Sequence, residues 1–293
     1  MKRRPFYLML VIIFLGLVVL SCVGSRILFE AEENAYLMGT PVRVKIEGLY
    51  AFLYARLALA EIRNLEQSLS DRLPQSEISL LNRFAGLAPL QVSRGTYECL
   101  RLAQRLNQLT GGAFDVTLGD PEALVVNPET RMVFIKKKGV RIDLGGIGKG
   151  FAAEYVRSRL RKEGARSGMI DMRSSIAVFG KKSRRVGIQY PNDRWKLLGM
   201  VELKDGGSLA TSGDYERGEH IIDPRSGKPA RKCQSATVVC EDAAFADALS
   251  TALFVLGPIE GIRLVETLPG VEAMIFDREG KYHLSSGFIF AKP

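Results

Sequence analysis

Asp143-Leu144-Gly145-Gly146-Ile147-Gly148-Lys149-Gly150-Phe151 carries an apolar strand-like segment into a glycine turn and then into a helix. Its glycines lack Cβ atoms, so the backbone can turn tightly and come close to a ligand. The helix that follows offers unpaired N–H groups to an anion, and Lys149 adds a cation at the same place. Asp143 supplies a carboxylate able to accept from a ribose hydroxyl or to orient a cation. The stretch therefore suits a phosphate-bearing ligand. It is not a Walker A loop, because Gly150 follows the lysine where that loop needs Ser or Thr. Nor does Gly146-x-Gly148-x-Gly150 match the G-x-G-x-x-G dinucleotide fingerprint. Standing alone, it could also be an ordinary strand-turn-helix corner.

Working outward, the pattern is mixed. Upstream, residues 42 to 47 alternate as a strand, and residues 49 to 69 carry Leu53, Leu57, Ala60 and Leu65 at helical spacing. Ser76-Glu-Ile-Ser opens a shorter helix with Gly86 as its stop, and Thr96 to Leu109 makes a third, ended by Gly111-Gly112. Strands are expected at 131 to 136 and 139 to 144, then a helix from Lys149 to Glu163. Downstream, strands are expected at 169 to 179, 185 to 190, 198 to 203, 219 to 222 and 235 to 240. Helices over Ala243 to Leu256 and Pro258 to Thr267, and a hairpin turning at Glu279-Gly280, complete the chain. Without strict βαβ alternation, this order predicts a single large α+β domain of mixed sheets and helices rather than a doubly wound parallel sheet.

The N-terminus reads as a leader. Lys2, Arg3 and Arg4 precede an apolar run from Phe6 to Leu20, too short for a comfortable membrane span and suited to a signal-peptide core. The run ends Val19-Leu20-Ser21-Cys22, which resembles a bacterial lipoprotein processing site. Residues 1 to 21 are thus expected to be a lipoprotein signal peptide, 22 to 35 a tether, and 36 to 293 the folded domain. An uncleaved anchor is the alternative; both put the domain on a membrane, outside the cytoplasm. The formal net charge of +9 falls to +6 when residues 1 to 21 are removed. What remains is not interleaved with aromatics, which argues against nucleic-acid binding. Four cysteines without a C-x-x-C and only two histidines argue against structural zinc. Cys22 is assigned to the lipid, and a Cys233–Cys240 pair stays open.

Three further stretches carry chemistry. Along Phe245-Ala-Asp-Ala-Leu-Ser-Thr-Ala-Leu-Phe, an apolar stripe leaves Asp247 and Thr251 together on the other face. Two oxygen donors one turn apart suit a hard cation such as Mg²⁺, and a solvated polar face is the plainer alternative. Thr110-Gly-Gly-Ala-Phe-Asp-Val-Thr joins a glycine helix stop to a carboxylate. Thr211-Ser-Gly-Asp-Tyr and His220-Ile-Ile-Asp-Pro-Arg-Ser-Gly bring hydroxyls, carboxylates and an imidazole together. Imidazole is the side chain best suited to take a proton from an attacking hydroxyl near neutral pH.

These stretches, with Met38-Gly-Thr and Ala246-Asp-Ala-Leu-Ser-Thr-Ala, occur in the order seen in the ApbE family. The chain resembles that family, the FAD:protein FMN transferases once called thiamine biosynthesis lipoproteins, from residue 38 to about 257. The resemblance implies a T-fold-related architecture, FAD as substrate, Mg²⁺ as cofactor, and transfer of FMN to a threonine hydroxyl with release of AMP. The acceptor it implies is a flavoprotein subunit of a membrane electron-transfer complex. It assigns FAD contacts to Met38, Ala113, Phe114, Asp115, Asp143, Lys149 and Ile222, Mg²⁺ to Asp247, Thr251 and the Gly146 carbonyl, and the base to His220. Simple FAD hydrolysis to FMN and AMP, or flavin binding without turnover, are the alternatives. Where many relatives have Gly-Gly, this chain has Arg173-Ser174-Ser175, whose side chains would crowd a flavin passing close by.

Overall fold

The computed structural model describes residues 12–13, 29–191, 193–214 and 218–292. Most of the expected leader, Cys22 with its lipid, and Tyr215 lie outside the described residues.

Strands β1 (Glu30–Leu37) and β2 (Thr40–Glu47) form a hairpin turning at Met38-Gly39. In β2, Thr40, Val42, Val44 and Ile46 are buried while Pro41 and Arg43 are exposed, the alternation of a strand with one face on a core. β1 begins inside the expected tether, because Glu30 to Ala35 pair with residues 42–47 and satisfy their backbone groups there. Helix α1 (Ala51–Leu69) buries Ala55, Ala58, Ile62 and Leu65. Helix α2 (Glu77–Arg83) is capped by the Ser76 hydroxyl, which accepts from the Ser79 N–H at 3.0 Å. Strand β3 (Leu90–Gln91) precedes α3 (Arg94–Leu109), which starts behind the cap Ser93. β3 joins β4 (Leu124–Val126) and β5 (Met132–Ile135) in a small antiparallel sheet. Residues 139 to 144 do not add the expected strand to it. Asn82 brackets Ile142 with both ends of its amide, at 2.6 and 3.0 Å, and the Asp143 N–H donates to the Val116 carbonyl. A side chain and a loop thus take the place of a ladder.

Helix α4 (Gly148–Lys162) leads into β6 (Ser167–Asp171) and β7 (Ser175–Phe179). These two replace the single strand expected over 169 to 179. They form a hairpin because Arg173, at φ 67°, turns the chain back. There follow β8 (Arg184–Tyr190), β9 (Asp193–Leu203), β10 (Ser208–Gly213), β11 (Ile222–Asp223), β12 (Lys228–Pro229) and β13 (Cys233–Cys240). Helix α5 (Ala243–Val265), β14 (Glu272–Asp277) and β15 (Tyr282–Leu284) close the chain. β10 has no counterpart among the expected strands, since its polar half Thr211-Ser212-Gly213 hides the alternation. α5 is broken at Gly257 (φ 78°) ahead of Pro258, which gives the two helices the sequence predicts.

The main sheet has the order β1-β2-β6-β7-β10-β13-β14-β15, with every neighbour antiparallel. β2 meets β6 with Arg43 opposite Asp171, 128 residues further along. On one face the helices pack over Val44, Ile46, Ile170, Ala177, Phe179 and Ala210. On the other, the β8–β9 hairpin closes over Ile176, Val178 and Leu209. Successive residues of β7 therefore enter opposite cores, and the single α+β domain is built around that shared strand.

Cys233 and Cys240 stand at the two ends of β13, roughly 23 Å apart at a strand's rise per residue. That separation excludes the disulfide left open above, and both thiols are free and buried, as is Cys99. Burial pushes the Cys233 and Cys240 thiols up to about 12, so they are poor nucleophiles. In the native protein, iodoacetamide should leave all three unmodified. All three should alkylate after unfolding, equally with and without reductant, as read by peptide mass spectrometry.

Candidate functional site

The start of α5 is built on carboxylates. Asp242 accepts from the Ala244 and Phe245 N–H groups at 2.8 and 3.0 Å. Glu154, on α4, accepts from the Ala243 N–H at 3.0 Å and from the Arg157 guanidinium. These acceptors satisfy N–H groups that a helix start leaves unpaired. Arg157 is buried and also donates to the Gly206 carbonyl at 2.6 Å and the Ser208 hydroxyl at 3.0 Å. One guanidinium therefore ties α4, through Glu154, to α5 and to the start of β10.

This fastening sets the next turn of α5 against the glycine loop. Asp247 Oδ2 accepts from the Gly150 N–H at 2.8 Å, and Thr251 Oγ1 lies 3.4 Å from the Gly146 carbonyl oxygen. A Cβ at Gly150 would sit 2.2 Å from the Ala243 carbonyl oxygen and 2.4 Å from Asp247 Cβ, so the approach requires glycine. Phe114 backs the loop, its ring 3.2 Å from where a Gly146 Cβ would lie. Asp247 is 2% exposed, which overturns the solvated-face alternative. Ser212 on β10 adds its hydroxyl, 2.8 Å from Ser250 Oγ and 3.0 Å from Thr251 Oγ1. Burial, and then the nearby Asp247 charge, push the Cys99 thiol up and keep it protonated.

The remaining candidates fall around this centre. Met38 (φ 51°) donates its N–H to Glu66 at 2.7 Å and reaches over Gly148, its Cε 3.5 Å from a Cβ position there. Asp143 and Lys149 sit on the turn itself. Asp143 accepts from the Gly145 N–H at 2.7 Å, and Lys149 Nζ donates to the Gly145 carbonyl at 3.1 Å. Ala113 is buried beside Phe114. Asp115 follows Phe114 and is buried at the turn. Its buried carboxylate accepts from the Thr117 and Gly119 N–H groups at 2.9 and 2.8 Å, so it shapes its own turn. That turn meets the His220 segment, because a Gly119 Cβ would lie 2.9 Å from the Pro224 carbonyl oxygen and Arg225 packs beside Gly112. Ile222 is half-buried in β11 opposite Pro229. His220 is exposed, with Nδ1 2.8 Å from the Gly218 carbonyl oxygen. Asp223 grips Arg225 through two hydrogen bonds of 2.9 Å, which hold its carboxyl below the usual range.

The Arg173-Ser174-Ser175 turn borders β10, where the Thr211 N–H donates to the Ser174 carbonyl at 2.8 Å. The hydroxyls of Ser174 and Ser175 are buried without a hydrogen-bonding partner. Among the described residues no group of three or more His, Cys, Asp or Glu could cage a metal. One carboxylate, one hydroxyl and one carbonyl, all hard oxygens, do fit Mg²⁺, which completes its shell with water and substrate phosphate.

The span holding these residues matches the ApbE family model at 38–126 and 120–275. The chain belongs to the ApbE family. It is 26% identical to an FAD:protein FMN transferase of Klebsiella pneumoniae (strain 342), over 86% of this chain and 91% of that protein. It is 29% identical to an FAD:protein FMN transferase of Treponema pallidum (strain Nichols), over 92% and 90%. The crystal structure of the ApbE protein from Thermotoga maritima superposes with a TM-score of 0.80 at 27% identity, over 88% of this chain and 97% of that one. The flavin transferase ApbE from Vibrio cholerae, at 24% identity and a TM-score of 0.79, shares the fold over 89% and 98%.

Some participants carried no local signal. Glu154 meets Ala243 across 89 residues, so nothing near it in sequence marks it. Ser212 was within reach, as the middle hydroxyl of a polar run, but its partners on α5 were not.

Gly150→Ala should destabilise the fold by about 1–3 kcal/mol, as overpacking does, read by denaturant unfolding. Asp223 stabilises its loop above its ordinary value of 3.8, and that contribution is lost as pH falls through the depressed folded value. Arg225→Gln should therefore lower the unfolding free energy at pH 7 by less than about 1 kcal/mol, read by denaturant unfolding, a difference that closes as pH falls below about 4.

Proposed function

We propose that this ApbE-family chain is an Mg²⁺-dependent FAD:protein FMN transferase, attaching FMN from FAD to a threonine hydroxyl of an acceptor flavoprotein and releasing AMP. The observation that carries the reading is the Gly150–Asp247 hydrogen bond, with Thr251 set against Gly146. It puts an anion-binding glycine turn and a hard-oxygen donor set side by side. The names of similar-length relatives support the same reading.

On this reading the FAD pyrophosphate lies along the Gly145–Gly150 turn, where Lys149 supplies the cation that meets it. Asp143 meets a hydroxyl of the dinucleotide, Met38 covers the turn, and Phe114 and Ala113 hold it from behind. Ile222 flanks the acceptor side. Asp247, Thr251 and the Gly146 carbonyl would hold Mg²⁺, which when bound neutralises charge building on the departing phosphate. His220, in the tautomer that donates from Nδ1 to the Gly218 carbonyl, keeps Nε2 as an acceptor for the threonine proton. The threonine oxygen forms a bond to the FMN phosphorus as the bond to the AMP phosphate oxygen breaks, and AMP leaves with the electron pair. The basic residues at 2 to 4, the apolar run and Cys22 support a lipid-anchored protein on the outer side of a cell membrane, beside a membrane electron-transfer complex that supplies the acceptor.

The full chain with FAD, Mg²⁺ and an acceptor subunit should yield AMP and an acceptor heavier by one FMN in mass spectrometry. Asp247→Asn should cut AMP release by about 10²-fold or more, and chelation should abolish it. His220→Ala should lower kcat by about 10²–10⁴-fold with FAD affinity kept. AMP with free FMN and no acceptor would select the hydrolase instead. FAD binding without AMP would select a carrier and end the transferase reading.

A further inference from the structure

One end of the β1–β2 hairpin and the start of α1 leave an apolar face uncovered. Leu49, Tyr50, Phe52 and Leu53 are 58 to 64% exposed, and Phe29 is 50% exposed. The Gly48 N–H donates to the Phe29 carbonyl at 2.8 Å, and Phe29, Leu49 and Phe52 line one shallow depression whose β1 wall carries Glu30, Glu32 and Glu33. Single exposed apolar side chains are ordinary on a soluble surface, whereas a contiguous group marks a contact. The helix explains the arrangement: Ala51, Ala55 and Ala58 face the core, so Phe52 and Leu53 must point away from it. Arg56 lies on the same outward side, its guanidinium 5.5 Å from the Phe52 ring centre. Aromatic and aliphatic tips beside a cation on a long stem suit the boundary between lipid tails and headgroups.

The chain's own N-terminus says what covers this face. The apolar run ends at Leu20 and lipidation is expected at Cys22, while Phe29 is already part of the patch. The residues between Cys22 and Phe29 span at most about 25 Å when fully extended, so a lipid on Cys22 would keep Phe29 within that distance of the bilayer. We infer that Phe29 and the Leu49–Leu53 segment dock into the headgroup layer of the membrane that anchors the protein. This rests on the anchoring part of the proposed function and adds to it the surface that faces the lipid. It also fixes the reach of the site. Phe29 and Gly48 lie at one end of the hairpin and Met38-Gly39 at the other, one strand length or about 26 Å away. With the hairpin end at Phe29 in the headgroup layer, the glycine turn stands at most that far above it.

The test uses the full chain with its leader, reconstituted into vesicles of phosphatidylethanolamine, phosphatidylglycerol and brominated phosphatidylcholine. Trp195 is the only tryptophan and is 83% exposed on the β8–β9 hairpin, across the sheet from α1, so the native protein is the internal control. In a Trp195→Phe background, Leu53→Trp should emit at shorter wavelength and lose about half its intensity to brominated lipid, as insertion by 5–10 Å requires. Trp195 itself should be unaffected. Leu49→Trp reads the same face should the first variant fold poorly. Flotation with the vesicles but no quenching at either position overturns the docked face and leaves the anchor standing. A blue shift insensitive to bromine means that protein, a second copy or the leader itself, covers the patch, and it overturns the inference too. A chain that does not float overturns anchor and docking together, while AMP release reports separately on the transferase.

Discussion

The Gly150 N–H donating to Asp247 Oδ2 joins two helices from positions 97 residues apart and does so out of contact with water. A hydrogen bond to a buried carboxylate contributes about 1.5–3 kcal/mol, and leaving that charge unpaired would cost more. The bond needs a backbone bare of Cβ on one side and an acceptor oxygen on the other, which is why the glycine loop and the Asp247 helix belong to one device. The Glu154–Arg157 pair fixes where α5 begins, and the Gly150 contact fixes which turn of α5 meets the loop. A slip of one helical turn would carry Asp247 away from the loop by about 5 Å.

The two faces of the sheet divide the work. The helical face holds every residue assigned to chemistry on α4 and α5, and the β8–β9 hairpin on the other face seals β7 and β10 from behind. Because β7 and the Ser208–Ala210 half of β10 are buried, the half-buried end of β10 presents Ser212 to α5 from a packed support. A TM-score of 0.80 at 27% identity to the Thermotoga protein fits this picture, since packing constraints of this kind fix a backbone more tightly than they fix a sequence.

Much of this was legible in the sequence, wherever the signal was local. Ser76 and Ser93 announce helix starts, Gly257-Pro258 announces a break, and the glycine turn announces a close approach. Other features were misread because their causes lie elsewhere in the chain. Residues 139 to 144 alternate like a strand, yet Asn82 takes the backbone partners a neighbour would have used. From its helix alone Asp247 reads more simply as part of a solvated polar face, and only the partner loop shows it to be buried.

The sheet's connectivity has a consequence in time. β2 is made early but its neighbour β6 comes more than a hundred residues later, with the whole α1–α4 region between them. At roughly 5–20 residues per second of synthesis, the first hairpin waits about 6–25 s for its partner. Pairing across so long a separation also makes the search itself slow. During that interval α1, made next, can already cover Val42, Val44 and Ile46, but the β2 edge that β6 will fill has no strand beside it. A nascent chain of this topology therefore depends on whatever shelters that edge until its neighbour has been made.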